Sequence, residues 1–303
     1  MSVEPISAAA QAHAIDPLAA LRQLRRLARA EAPPWLHVEV SRRMAERLSI
    51  IKLQPKTVLQ WSAFLGGSST DLLAAYPQAA QLGVELSEAA LQRSQAQHKR
   101  AWWQAWRAPA IELCRPETLT PGAAELLWAN MALHGCMDLP GTLQAWHRAL
   151  AVEGFLMFSY LGPDSLRELR PIYAQMGWGE PMPQWRDMHD IGDMMVEAGF
   201  ADPVMDQERL TLTWADADAL LADLRALGGN LAPARFKGWR GRAWHAQLKQ
   251  SLERLRNPQG RLALSVELVY GHAFKPQPRL KMSAQTHVSL DEMRQMVRQG
   301  RGQ

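Results

Sequence analysis

Between residues 57 and 176, short apolar runs alternate with amphipathic helical stretches, and that alternation limits most sharply what this chain can fold into. Residues 57–64 (TVLQWSAF), 82–86 (LGVEL), 111–114 (IELC), 125–133 (ELLWANMAL) and 154–161 (GFLMFSYL) read as strands. The stretches DLLAAY, SEAALQRSQAQHKRAWWQAW, TLQAWHRAL and PDSLRELRPIYAQM read as helices between or after them. Near-continuous apolar strands joined by helices need cover on both faces, which predicts a parallel, doubly wound α/β sheet. A helix over 187–199 and two later runs, 204–214 and 262–270, extend the prediction to seven strands with an antiparallel edge. The material between those last two strands, about 215–256, would form a small helical cap.

Ahead of this core, Leu18, Leu21, Leu24 and Leu27 lie three apart, predicting a helix over 16–30 with Asp16 as N-cap and Pro17 in its first turn. A second helix fits 35–51, where Leu36, Val40, Met44, Leu48 and Ile51 recur at helical spacing. Their basic opposite faces read as solvated. The two cysteines, Cys114 and Cys136, are too few for a disulfide scaffold or a cysteine-rich zinc site and suit a reducing cytoplasm. No apolar run approaches the roughly 18 residues of a membrane span. The first residues, with Glu4 and Asp16, lack the apolar core of a secretion signal. With 34 basic and 30 acidic side chains the formal charge is +4, which permits an acidic partner and requires no nucleic acid.

Open parallel sheets bind ligands where strands end and helices begin. The first such crossing reads Gln60-Trp61-Ser62-Ala63-Phe64-Leu65-Gly66-Gly67-Ser68-Ser69, neither a dinucleotide fingerprint nor a Walker loop. Gly66 and Gly67 either make the turn alone or let a ligand approach the backbone. Glu85 closes the second strand, where an acid can accept hydrogen bonds from ribose hydroxyls, and Asn130 ends the fourth on the same rim. No Gly-x-Ser-x-Gly elbow occurs, which argues against an α/β-hydrolase. His134 and Cys136 are two residues apart, unlike a catalytic dyad, and read as structural. Asp187, His189, Asp190 and Asp193 form a polar group, but only His189 and Asp193 share a helical face, so no metal site is predicted. Arg235, Lys237, Arg240 and Arg242, interleaved with Phe236 and Trp239, are either a solvated cap surface or a patch for an acidic partner.

Several stretches together resemble one group of class I S-adenosylmethionine-dependent methyltransferases. They are LLWANMALHGCMDLPGTLQAWHRAL, GFLMFSYLGPDSLRELR, DMHDIGDMMVEAGFADPVMDQERLTLTW, LLADLRALGGN and VELVYGHAFKP. The group contains the malonyl-acyl-carrier-protein O-methyltransferases of biotin synthesis and a related complex I assembly factor that hydroxylates an arginine. The resemblance implies a Rossmann-like methyltransferase domain over 35–276 with the cap as an insertion, a helical extension over 1–34 and a polar tail over 277–303. It implies S-adenosylmethionine as cofactor, with the cofactor loop at 58–67 and Gln60, Ser62, Gly66, Gly67, Glu85 and Asn130 as the cofactor-binding positions. Substrate candidates on the strand-five side are Tyr160, Arg167, Arg170, Arg186 and His189. No catalytic residue is implied, and an acyl carrier protein bearing a malonyl thioester is the implied partner.

The chain departs from the family pattern at named positions. The loop's usual first acid is Gln60, two of its glycines are Ser62 and Phe64, and the acid common near the adenine amino group is Arg115. A lost charge-assisted hydrogen bond costs about 1.5–3 kcal/mol, and a ring at position 64 threatens the space a cofactor needs. Two readings follow: a methyltransferase acting on the malonyl carboxylate, or a binding or assembly factor that keeps the fold and holds the cofactor weakly or not at all. Hydroxylation on the same fold is a third, weaker reading, with Asp187, His189 and Asp190 as its visible candidates.

Overall fold

The computed structural model describes residues 13–98 and 111–278. Helices α1 (Pro17–Leu27) and α2 (Trp35–Arg47) precede strand β1 (Thr57–Trp61). Then follow α3 (Ala63–Gly66), α4 (Ser69–Ala75), β2 (Ala80–Val84), α5 (Glu88–His98), β3 (Ile111–Cys114), β4 (Ala124–Ala129), α6 (Leu139–Ala149) and β5 (Leu150–Leu161). The remainder is α7 (Leu169–Gln175), α8 (Met188–Glu197), β6 (Ala201–Trp214), α9 (Ala217–Leu227), α10 (Arg242–Leu252) and β7 (Leu262–Phe274). The strands form one seven-stranded sheet in the order β3-β2-β1-β4-β5-β7-β6. The first five pair in parallel, as the strand pattern predicts; the antiparallel strand is β7, which lies between β5 and β6 rather than at the expected edge, because β6 passes outside it.

Alternation along the strands divides the core into two layers. Leu59, Trp61, Leu127 and Ala129 face one way, against Leu143 and Trp146 of α6 and Ile191 and Met195 of α8. Val58, Leu126, Trp128 and Phe155 face the other, against Leu36, Val40 and Met44 of α2 and Leu72 of α4. A third cluster joins Leu169, Trp178, Leu220, Leu248, Leu252 and Leu264, tying α7, α9 and α10 to the start of β7. The order in the sheet reverses between β1 and β4, so the two crossings leave a crevice at the strand ends.

Local boundaries differ from the sequence reading for specific reasons. The helix expected from residue 163 begins at Leu169, because Leu166 takes φ 56° and its N–H donates to Ser265 O. Asp164 N–H is spent on the Glu267 carboxylate, which also keeps this segment out of a helix. β1 ends at Trp61 because Ser62 takes φ 54°. The predicted helix after β2 is described to His98 and the predicted tail to residue 278; their remainders lie outside the described residues.

Candidate functional site

The β1–α3 crossing turns on Ser62, whose left-handed backbone (φ 54°, ψ 57°) redirects the chain into α3. At the far end Gly67 has φ 62°, and a Cβ there would stand 3.1 Å from Val38 Cγ2 and 3.2 Å from Pro33 Cγ. Only glycine meets both demands. Phe64 follows this path and is not among the side chains lining the hollows at the strand ends. It is buried with Leu65 and Leu27, with Leu24 packed alongside and the Arg93 guanidinium 5.3 Å from the ring centroid. The ring packs against α1 among Leu24, Leu27 and Leu65.

Glu85 is 1 % exposed and clasps this crossing: its Oε1 accepts from Phe64 N–H at 2.7 Å and from Ser94 Oγ–H at 2.5 Å. Burial raises its carboxyl above the ordinary range, opposed by those two donors and by the charge of Arg115. Arg115 also donates to Glu85 O at 3.1 Å and lies 3.6 Å from Glu117. Gln60 is buried, donating to Gln81 at 3.2 Å and accepting from Ser69 at 3.0 Å. Asn130 is saturated as well. It donates to His37 O and Gly66 O at 2.7 Å each, and accepts from Ser159 Oγ–H at 2.7 Å.

Two hollows open over this rim. The smaller, about 300 Å³, is lined by Trp61, Ser62, Leu86, Asn130 and Asp138 below and by Ala20, Leu21, Leu24 and Leu27 of α1 above. Asp138 is its only acidic wall residue among those described. The larger, about 380 Å³, runs beneath the cap between Leu161, Leu169, Tyr173, Met182, Leu221 and Trp244, with Arg26 and Arg225 also on its wall. Gln23, His134 and Leu231 belong to both hollows. Helix α1 therefore roofs the crevice. It is held to the cap by Asp16–Arg235 at 2.6 Å, by Asp16 N–H to Leu231 O at 2.9 Å, and by Arg26 to Gly228 O.

Of the cofactor positions expected from sequence, Ser62 and Asn130 line the smaller hollow, while Gln60, Gly66, Gly67 and Glu85 lie behind it and set the loop's course. The substrate candidates divide similarly. Tyr160 and Arg186 line a small cleft that also touches His134. The Tyr160 hydroxyl donates to Asp187 O at 3.1 Å, and burial, then the nearby Asp187, Glu267 and Asp190 carboxylates, raise its pKa. Arg167 is exposed and pairs with Asp164 at 3.4 Å, Arg170 donates to Pro183 O at 3.4 Å, and His189 is exposed; none of the three lines a hollow. Asp187 is the N-cap of α8, accepting from His189 N–H and Asp190 N–H, which accounts for the polar group seen in sequence.

Three residues that line the hollows lie outside the positions expected from sequence: Gln23, Arg26 and His134. The first two sit on a helix read as an extension, and His134 looked structural. The His134 ring lies edge-on to His37 at 6.0 Å and to Trp185 at 6.5 Å. Burial and the neighbouring imidazole lower its pKa to about 3. His37, whose Nδ1 contacts Leu65 O at 2.8 Å, falls to about 4 by burial.

No family model matches the chain. Among curated proteins, a malonyl-[acyl-carrier protein] O-methyltransferase of Gallionella capsiferriformans is 41% identical over 256 residues, covering 82% of this chain and 87% of that one. A protein of the same name from Laribacter hongkongensis is 38% identical, covering 82% and 86%. Another from a Methylovorus species is 36% identical, covering 90% and 94%. Among solved structures, the YcgJ protein of Bacillus subtilis matches with TM-score 0.53 at 10% identity, covering 78% of this chain and 98% of that one. That likeness concerns the fold.

Proposed function

The chain belongs to the malonyl-[acyl-carrier protein] O-methyltransferase family, and from that membership we infer that it methylates the free carboxylate of a malonyl thioester carried on acyl carrier protein, with S-adenosylmethionine as donor. The product belongs to biotin synthesis, and the free thiols Cys114 and Cys136 suit a cytoplasmic enzyme. The observation that carries the reading is the pair of hollows meeting at one wall: a two-substrate transfer needs two sites that share a boundary.

The residues of the smaller hollow fit such a donor. Its volume falls in the range of small-molecule sites, about 300–1,000 Å³. Leu24, Leu27, Leu65, Leu86 and Trp61 offer apolar walls for a purine, the Ser62 hydroxyl is a polar contact, and the Asp138 carboxylate suits an ammonium group. When bound, the donor supplies a methyl group already activated by a sulfonium, so a carboxylate acceptor needs no general base. The protein's task is alignment and exclusion of water. Helix α1 and the cap cover the junction, and the long apolar wall of the larger hollow takes the thioester arm. Arg26 and Arg225, near its edge, suit the phosphodiester that joins such an arm to its carrier.

The test is mass spectrometry of malonyl-acyl carrier protein incubated with the protein and S-adenosylmethionine, paired with calorimetry of S-adenosylhomocysteine binding. Gain of one methyl ester per carrier is expected. Gln60, with its amide spent inside the protein, is the specific observation behind a second reading as a non-catalytic binding factor. No turnover together with no binding at millimolar ligand would select that reading.

A further inference from the structure

Two of the three side chains shared by the hollows carry a buried polar atom with no hydrogen-bond partner among the described residues: Oε1 of Gln23 and Nδ1 of His134. Buried polar atoms are nearly always satisfied, so two orphans on one wall mark a place that a ligand completes. We propose that Gln23 and His134 are the acceptor-binding residues, holding the reacting carboxylate at the junction by neutral hydrogen bonds. The proposal rests on the methyltransferase reading above and deepens it.

The charge arithmetic of the reaction favours this arrangement. A carboxylate oxygen uses a lone pair to form the new O–CH3 bond while the C–S bond of the sulfonium donor breaks and its electron pair stays on sulfur. No proton moves, and the acceptor's negative charge disappears. A guanidinium at that oxygen would stabilise the charged ground state more than the transition state, which raises the barrier. Neutral donors orient the oxygen at a smaller penalty. The wall is built that way: Gln23, His134 and Leu231 carry no formal charge. The His134 imidazole is kept neutral by burial, with His37 and Trp185 packed edge-on against it. An Nδ1–H then donates one hydrogen bond to the carboxylate; Gln23 Oε1 is an acceptor, so its amide turns over about χ3 on binding to present an Nε2–H as the second donor.

The measurement is a 15N imidazole spectrum of the full chain titrated with malonyl-pantetheine and, separately, acetyl-pantetheine, which lacks the carboxylate. The His134 Nδ1 resonance is expected to move with the first and stay with the second. His134→Leu should lose about 10- to 100-fold in kcat/KM for the malonyl thioester, the equivalent of one or two lost hydrogen bonds, with partial rescue in His134→Gln. Gln23→Arg should lower KM and kcat together, because it adds ground-state binding that the transition state cannot use. If the wild type methylates malonyl-acyl carrier protein while the His134 resonance ignores malonyl-pantetheine, or if Gln23→Arg raises kcat, the assignment of these residues is overturned and the enzyme reading stands. If the wild type does not methylate the carrier at all, the enzyme reading fails and takes this assignment with it.

Discussion

Ser62 occupies a left-handed backbone position that glycine adopts freely, and its side chain makes no cap hydrogen bond to the helix it starts. Ser62→Gly is therefore expected to stabilise the fold by about 1 kcal/mol, a rise of roughly 2–4 °C in Tm read by calorimetry. Glu85 makes a pH-dependent prediction. Its carboxyl is raised above the ordinary 4.5 by burial, so the native state favours the neutral form. The stability this confers is fully present below the unfolded value and is lost as pH rises through the native one. Glu85→Gln keeps an acceptor for Phe64 N–H without the charge. The Tm of the variant relative to wild type should accordingly climb between pH 4.5 and pH 8, and a constant difference across that range would mean the carboxyl is not acting through its ionisation.

Helix α1 is the element on which both hollows depend, and it is fastened at two ends of different chemistry. Its underside rests on the Phe64 ring, and its N-terminus is latched to the cap by Asp16, which both caps the helix at Ala19 N–H and pairs with Arg235. Phe64→Ala removes a buried ring, a change that costs about 3–5 kcal/mol, and should free the helix for faster tryptic cleavage at Arg25 and Arg29. Asp16→Asn isolates the latch, because asparagine caps as well as aspartate but cannot form the ion pair. Hydrogen bonding to Arg235, then to Ala19 N–H, holds the Asp16 carboxyl below its usual 3.8. That contribution is complete above the usual value and is lost as pH falls through the lowered one. Protection of the helix from hydrogen exchange should thus be flat from pH 6 to 8 and fall in acid, and Asp16→Asn should remove the fall. Very little of this roof could be read from sequence. Leu18 to Leu27 announce a helix, but an apolar stripe does not name the surface that receives it, and Phe64 gives no sign that φ 54° at Ser62 will aim its ring at that stripe. The doubly wound seven-strand sheet and the place of Asn130 at the end of the fourth strand were legible because they follow from local periodicity, whereas Ser62 was placed by the family resemblance alone. His134 reads as structural in sequence, and the proposal that it binds the acceptor rests on two cavities meeting beside it, which no local pattern shows.

Across the whole molecule the excess charge is small, +4, so what matters to a partner is where unpaired cations gather. The loop leading into α10 presents Lys237, and the helix's first residue Arg242, exposed near a fully exposed Trp239, and neither cation has an ion-pair partner among the described residues. Arg240 is not free in the same sense, since its guanidinium stacks on Phe236 at 4.2 Å and Trp244 at 4.3 Å and shapes the loop. Trp244 also lines the larger hollow, so the charged loop and the hollow proposed above for a thioester arm share one wall. An acidic carrier arriving here would be drawn by long-range attraction that salt screens over about 10 Å at 0.1 M, whereas the small thioester it delivers would feel the hollow alone. Lys237→Glu combined with Arg242→Glu should therefore raise KM for malonyl-acyl carrier protein by about 10-fold at low salt, an effect of about 1.4 kcal/mol. The same pair should leave KM for malonyl-pantetheine unchanged, and the wild type should lose carrier affinity with rising salt until it approaches the variant. Equal effects on both substrates would place these cations at the acceptor rather than at the carrier.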